Sequence, residues 1–322
     1  MCLERTSVFL YAIAFEPHVK FWRWFLGTDL PSTLGIESAV ETQRYAKCIG
    51  DLVADRKARL RLHTEEKSDD NEHSDIFEYL YRAQLLTDEE LQADSQLIFA
   101  AGSDAVRLTI AAVLFYLLKN PATLEKLSGE IRASVTSTAE ISDAVLSNLK
   151  FLRACVDETL RLTPPKAASI PREVGKGGIT IDGVHVPEGM SVGVSLYSLH
   201  RDPEIYPEPY AFRPERWLKM EDDYRMRAAL GPLLRGPRMC PGGTIAYFAV
   251  QLALFHLLHR NDVKLAPGGK SGGGDQSLPR LRQRHDEYQM NDWIIGFADG
   301  PVIQLRERSQ DCVGMTDVDA DE

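Results

Sequence analysis

The spacing of apolar residues along the chain changes character near Ile170. Before that point it is helical. Gly35 to Leu62 reads as one polar helix with a basic end. Thr64 to Ser74 (TEEKSDDNEHS) is a charged, acidic loop, and Asp75 to Ala83 has the spacing of a short amphipathic helix. Thr87-Asp-Glu-Glu90 is a capping box, a threonine with a glutamate three residues on. The helix it starts runs from about 88 to 119, where Asn120-Pro121 stops it. At the usual rise that helix is roughly 48 Å long. Its middle, Leu97 to Leu118, is apolar nearly all round, which predicts burial. Pro121 to Ser134 and Ser147 to Leu162 predict two more helices, the second ended by Pro164-Pro165.

Beyond Ile170 the period shortens. Ile179, Ile181, Val184 to Val186 and Val192 to Leu196 are rich in β-branched residues and broken by Gly and Pro, which predicts short strands. His200 to Trp217 is proline-rich irregular chain. A further apolar helix follows Cys240. Pro267 to Asp275 is a glycine-rich loop, and Tyr288 to Arg306 predicts a two-stranded hairpin turning near Asp299-Gly300-Pro301. The expected class is mainly α with small β-sheets (α+β), in one domain over 1–308 with an acidic, disordered tail at 309–322.

Composition narrows the partners. A hydrophobic share of 44% and a charged share of 26% are those of a soluble globular protein. The net charge of -10, with no long basic run, argues against nucleic acid. Cys2, Cys48, Cys155, Cys240 and Cys312 are scattered, odd in number and without a C-x-x-C pair, which suggests reduced thiols. The aromatic cluster between Met1 and Leu30 fits a core or a membrane interface, core being the commoner use. Its best apolar run, Val8 to Phe15, is too short to span a bilayer, so no transmembrane anchor is expected.

The candidate chemistry lies in 233–246, Leu-Leu-Arg-Gly-Pro-Arg-Met-Cys-Pro-Gly-Gly-Thr-Ile-Ala. Cys240 stands at a loop-to-helix junction, where backbone N–H groups favour the thiolate that ligates metals. Gly236, Gly242 and Gly243 allow tight turning. Arg238 can meet an anion beside the metal. A lone cysteine there is more often a buried core thiol. The whole pattern, Gly236, Arg238, Cys240, Gly242 and Ala246, resembles the haem-ligand loop of the cytochromes P-450, F-x-x-G-x-R-x-C-x-G-x-x-x-A, with Leu233 in place of the aromatic.

Three further motifs carry the same resemblance. Glu158 and Arg161 lie three apart, on one helix face. In the family such an E-x-x-R joins a later arginine, here Arg216 within Phe212-Arg-Pro-Glu-Arg-Trp217, as a structural triad. Pro171-Arg172 implies a propionate contact for Arg172, shared with Arg238. Ala101-Gly102-Ser103-Asp104-Ala105 resembles the A/G-G-x-D/E-T run of the long helix. There Gly102 opens room for oxygen and substrate, and Asp104 assists proton delivery. Ala105 replaces the usual threonine, which casts doubt on efficient oxygen activation.

The resemblance spans about Gly35 to Arg306 and is strongest to fungal microsomal enzymes of secondary metabolism. It implies a haem b cofactor with Cys240 as axial thiolate and insertion of one O2-derived oxygen atom into a lipophilic small molecule. An NADPH-cytochrome reductase would donate electrons. Arg225, Arg227 and Arg235 are offered as its basic docking face, although solvated charges are commoner. The full-length family implies the cytosolic face of the endoplasmic reticulum membrane. It also implies N-terminal helices, strands and a W-x-x-x-R haem contact that this chain is expected to lack, since Trp22-Arg-Trp24 does not have that spacing. The alternative is a haem-binding remnant with little or no turnover.

Overall fold

The computed structural model describes residues 28–65, 75–218, 224–292 and 296–308. The expectations for the aromatic cluster up to Gly27, for most of the acidic loop and for the 309–322 tail lie outside them. The chain packs as two compact units that divide between Asp104 and Ala105.

The first unit contains α1 (Leu30–Thr33), α2 (Glu37–Glu65), α3 (Ile76–Ala83) and the start of α4 (Asp88–Lys119). The carboxylate of Asp75 caps α3 by accepting the Glu78 N–H at 2.7 Å. The Thr87–Glu90 box forms as the spacing predicts: Thr87 N donates to Glu90 Oε2 at 2.8 Å, and Glu90 N to Thr87 Oγ1 at 3.3 Å. Tyr45 of α2 donates to the Gln96 carbonyl of α4 at 2.6 Å.

Burial of α4 departs from the expectation. Leu97, Ile98 and Phe99 are 66%, 48% and 48% exposed, whereas Leu108 and Ala112 to Leu117 are buried. From Leu108 to Leu118 α4 carries no exposed side chain. By length and composition α4 is also apolar enough to cross a membrane, a test that core helices of soluble proteins pass as well.

The core of the second unit is built by four helices. They are the end of α4, α5 (Pro121–Ser134), α7 (Lys150–Leu162) and α10 (Gly243–Arg260). Val113 and Leu117 meet Leu127 and Ile131, Leu152 and Val156, and Leu254 and Phe255. Each such side chain contributes about 1.5–3 kcal/mol by leaving water. The expected Ser147–Leu162 helix is split. α6 (Asp143–Asn148) is capped by Ser142, and α7 starts afresh at Lys150. Leu149 offers α7 no side-chain cap. Glu130 of α5 supplies it, accepting the N–H groups of Phe151 and Leu152 at 2.9 Å each.

Among the described residues, four two-stranded antiparallel sheets follow. β1 (Arg172–Glu173) pairs with β4 (Ser191–Val192). β2 (Ile179–Ile181) and β3 (Val184–Val186) form a hairpin over Asp182-Gly183, both at positive φ, the turn that matches strand twist. The strand expected at Val192–Leu196 stops at Val192. Ser195 instead caps a short helix, α8 (Leu196–Leu199), by accepting the Ser198 N–H. α9 (Tyr224–Ala229) precedes the cysteine loop.

The hairpin expected over Tyr288–Arg306 is also corrected. β6 (Asn291–Asp292) pairs antiparallel with β7 (Gly296–Phe297), while β8 (Ile303–Glu307) pairs with β5 (Asn261–Leu265), the strand that leaves α10. The chain after Pro301 runs along 266–270, with Ala266 N donating to Val302 O and Val302 N to Lys270 O, both at 2.9 Å. That path delivers β8 to the open edge of β5. The class is mainly helical with small sheets, as expected.

Candidate haem-thiolate site

α7 places Glu158 and Arg161 one turn apart, both fully buried. Arg161 Nε and Nη2 donate to the two Glu158 oxygens at 3.0 and 2.9 Å. Its remaining N–H groups go to the carbonyls of His200 and Pro209 at 2.7 Å and Ala211 at 3.1 Å. All five guanidinium donors are therefore used. Glu158 further accepts from Arg216 Nε at 3.0 Å, Trp217 Nε1 at 2.9 Å and the Arg213 N–H at 3.0 Å. A buried charge met this completely is stable where it stands, and removing any one partner leaves the others exposed to the apolar interior. Glu158 and Arg161, paired by their spacing, thus meet Arg216, the arginine the resemblance implies, and tie the proline-rich segment 207–217 to α7.

His200 extends the cluster toward the cysteine loop. Its Nε2 accepts the Gly231 N–H at 3.1 Å, so Nδ1 carries the proton and donates to Arg161 O at 3.1 Å. Burial, with the nearby positive charges of Arg161 and Arg201, lowers its pKa to about 4. It is a neutral imidazole joining α7 to the residues just before Leu233.

The loop itself is closed by Cys240 N donating to Leu233 O at 2.9 Å and Met239 N to Gly236 O at 3.0 Å. Gly236 has φ +76°, a conformation L side chains rarely adopt. A Cβ on Gly243 would stand 2.8 Å from Leu233 Cδ1, so a larger residue there would have to push the end of the Leu233 side chain aside. Gly242 precedes α10 with no side-chain cap, and Ala246 N closes the first turn on Gly242 O at 2.9 Å. The Cys240 thiol is unpaired in any disulfide and exposed. It opens on a cavity of about 460 Å³ walled by Leu233, Met239, Phe248, Tyr247 and Arg153.

A second, narrow slot of about 40 Å³ lies between Ala105, Val106 and Thr109 of α4 and Leu233, Ala246 and Tyr247. Ala105 and Ala246 thus face one space, while Cys240 lines the other. Leu233 and Tyr247 wall both. The one hydroxyl in the α4 part of the slot, on Thr109, donates to Ala105 O at 2.8 Å. Gly102 and Asp104 belong to the first unit. Gly102 is exposed, with open space where a Cβ would be, and Asp104 is buried.

Arg172 lies exposed on β1, its Nη1 donating to Pro171 O at 2.9 Å, and no described contact joins it to the loop. Arg238 is exposed in the turn Gly236–Arg238. Neither has a carboxylate partner among the described residues. The arginines offered as a docking face are all exposed, each with a local partner. Arg227 donates to Trp217 O and Arg235 to Leu230 O, at 2.8 and 3.2 Å, and Arg225 stands 3.8 Å from Glu204.

The donor set fits a haem on its own chemistry. An accessible soft thiol suits iron, and a cavity of this size lies within the range of cofactor sites. Mainly apolar side chains line the slot, and Arg172 and Arg238, which have no carboxylate partner among the described residues, could each meet a propionate.

Spacing alone missed Asp157 and Tyr247. Tyr247 donates to Asp157 Oδ1 at 2.7 Å, and Arg153 Nε reaches both Asp157 oxygens at 3.1 Å. The Arg153 guanidinium lies 3.8 Å over the Tyr247 ring. Burial raises the Asp157 pKa against the pull of Arg153 and Tyr247. Burial and the Asp157 charge raise that of Tyr247, which stays a donor. In sequence Asp157 is one more acid on a charged helix, and Tyr247 one more apolar position on α10. Their partners are 90 residues apart.

Residues 34–281 match the family described as Cytochrome P-450. A cytochrome P-450 monooxygenase of Gibberella zeae is 33% identical over 94% of this chain and 68% of its own length. One of Penicillium oxalicum is 32% identical over 85% of the chain and 51% of its own length. One of Gibberella fujikuroi is 32% identical over 84% and 74%. The chain spans about half to three quarters of the length of these relatives.

Proposed function

The chain belongs to the cytochrome P-450 family, and from that premise we propose that it serves a haem-thiolate monooxygenase of fungal secondary metabolism, inserting one O2-derived oxygen atom into a lipophilic small molecule. The observation that carries the reading is the exposed Cys240 thiol, held by a glycine-turned loop at the head of α10. Haem b, when bound, supplies oxygen activation, and a thiolate ligand favours O–O cleavage.

The chain's own residues bind and orient. Cys240 would hold the iron through its sulfur. Arg172 and Arg238 would supply cations for the propionates. Gly236 and Gly242 keep the loop backbone close, and Ala246 keeps the slot flat and apolar. Glu158, Arg161 and Arg216 hold the segment leading to the loop. On α4, Gly102 leaves room for oxygen and substrate, and Asp104 holds and passes protons, general acid–base work. An NADPH-cytochrome reductase at the cytosolic face of the endoplasmic reticulum membrane is the electron donor.

One observation favours a second reading, a haem-binding chain with little coupled turnover. Ala105 brings no hydroxyl to the slot, and the Thr109 hydroxyl is already given to the Ala105 carbonyl.

Incubating the haem-loaded chain with reductase, NADPH and labelled dioxygen separates the two. Label in an extracted lipophilic product supports monooxygenation. NADPH oxidised wholly to peroxide supports the second reading. No NADPH oxidation above that of reductase alone overturns both.

A further inference from the structure

We infer that Tyr247, Asp157 and Arg153 form a clamp that sets where α10 holds Cys240, so that Tyr247 is a positioning residue for the sulfur ligand. This rests on the haem-thiolate reading above and goes beyond it. No motif of that reading includes these three side chains.

Four observations carry it. Consecutive acids on α7 serve different elements. Glu158 faces the 207–217 segment, while Asp157 faces α10 and accepts from Tyr247 at 2.7 Å. Asp157 is 3% exposed, so its charge depends on these partners. Arg153 closes the triangle on both carboxylate oxygens and on the Tyr247 ring. Tyr247, seven residues after Cys240, walls both the cavity at the thiol and the slot beside α4.

α10 enters its first turns with no side-chain cap at Gly242. Beside Cys240, the N-terminal end of the helix is therefore steered by packing and by the Tyr247 bond. The Glu158 cluster anchors the chain before the loop, and the clamp anchors the chain after it. Both belong to α7. The sulfur is thus suspended between two points on one rigid helix. Loss of the second point leaves the fold standing and the sulfur less well placed.

The test uses the haem-loaded chain and its carbon monoxide complex. Thiolate ligation gives a red-shifted band, and loss of the thiolate gives an unshifted one. Tyr247→Phe keeps the ring and removes only the hydroxyl. The conversion from shifted to unshifted band, followed in mild urea, is expected to be about tenfold faster in Tyr247→Phe, the scale of a lost hydrogen bond to a buried charge. Asp157→Asn, which keeps an acceptor, is expected to fall between it and the parent. A double-mutant cycle of Tyr247→Phe with Arg153→Met, read on unfolding of the haem-free chain, is expected to be non-additive.

Conversion at the parent rate in Tyr247→Phe overturns the inference, whatever the cycle shows, since the contact is then structural only. Additive effects in the cycle overturn the coupling within the clamp. A parent chain that binds haem without any shifted band overturns the haem-thiolate reading and this inference with it.

Discussion

His200→Gln removes the one described imidazole that is buried between α7 and the cysteine loop. In the folded chain His200 has a pKa of about 4, against an ordinary 6.5. A folded-state pKa below the unfolded one means that the unfolded chain binds the extra proton first. The stability His200 confers is therefore complete above pH 6.5 and drains away as pH falls toward 4. Integrated over that window the difference amounts to about 3 kcal/mol, with a slope of at most about 1.4 kcal/mol per pH unit. Physically, protonated Nε2 can no longer accept the Gly231 N–H, and a second positive charge appears beside Arg161 and Arg201.

Asp157 works in the opposite sense. Its raised pKa gives stability that is present at low pH and lost as pH rises. The comparison with the variant cancels that contribution. Urea unfolding of both chains at pH 7, 6, 5 and 4 reads the difference. The variant is expected to be the less stable at pH 7, and the two curves should converge by pH 4. Parallel loss of stability in the two chains would refute the reasoning.

Two further outcomes follow from the same contacts. Glu158→Gln, which leaves Arg161 buried without its counter-charge, should lower unfolding stability by about 3–5 kcal/mol. Calorimetry or recovery of folded chain reads the loss. Ala105→Thr should reduce the peroxide released per NADPH consumed with reductase present, because it returns a hydroxyl to the α4 slot. An unchanged ratio would remove Ala105 from the account of proton delivery.

The parts of the structure legible from the sequence are those whose partners lie close in the chain or in a fixed motif. The Thr87–Glu90 box and the Glu158–Arg161 pair depend on three-residue spacings, and they form at those spacings. Arg216 was placed with them by a family motif, because nothing in its local sequence names a partner 58 residues away. The partner of β8 is hidden for the same reason. A run of β-branched residues shows that a strand exists, and only the path of residues 299–302 along 266–270 decides which edge receives it. At Ser195 local chemistry outweighs β propensity: a serine three residues before an N–H it can cap ends the strand character of Val192–Leu196. The exposed start of α4 shows the limit of composition, since Leu97 to Phe99 and Leu114 to Leu117 look alike in sequence and differ in burial. Tyr247 and Asp157 carry no spacing signal at all.

All of the proposed chemistry depends on sulfur meeting iron. The decisive measurement is the difference spectrum of the reduced, haem-loaded chain on adding carbon monoxide, taken beside that of Cys240→Ser. The account predicts the red-shifted band in the parent and its absence in the variant. An unshifted band in the parent, or the same shifted band in both, would contradict it.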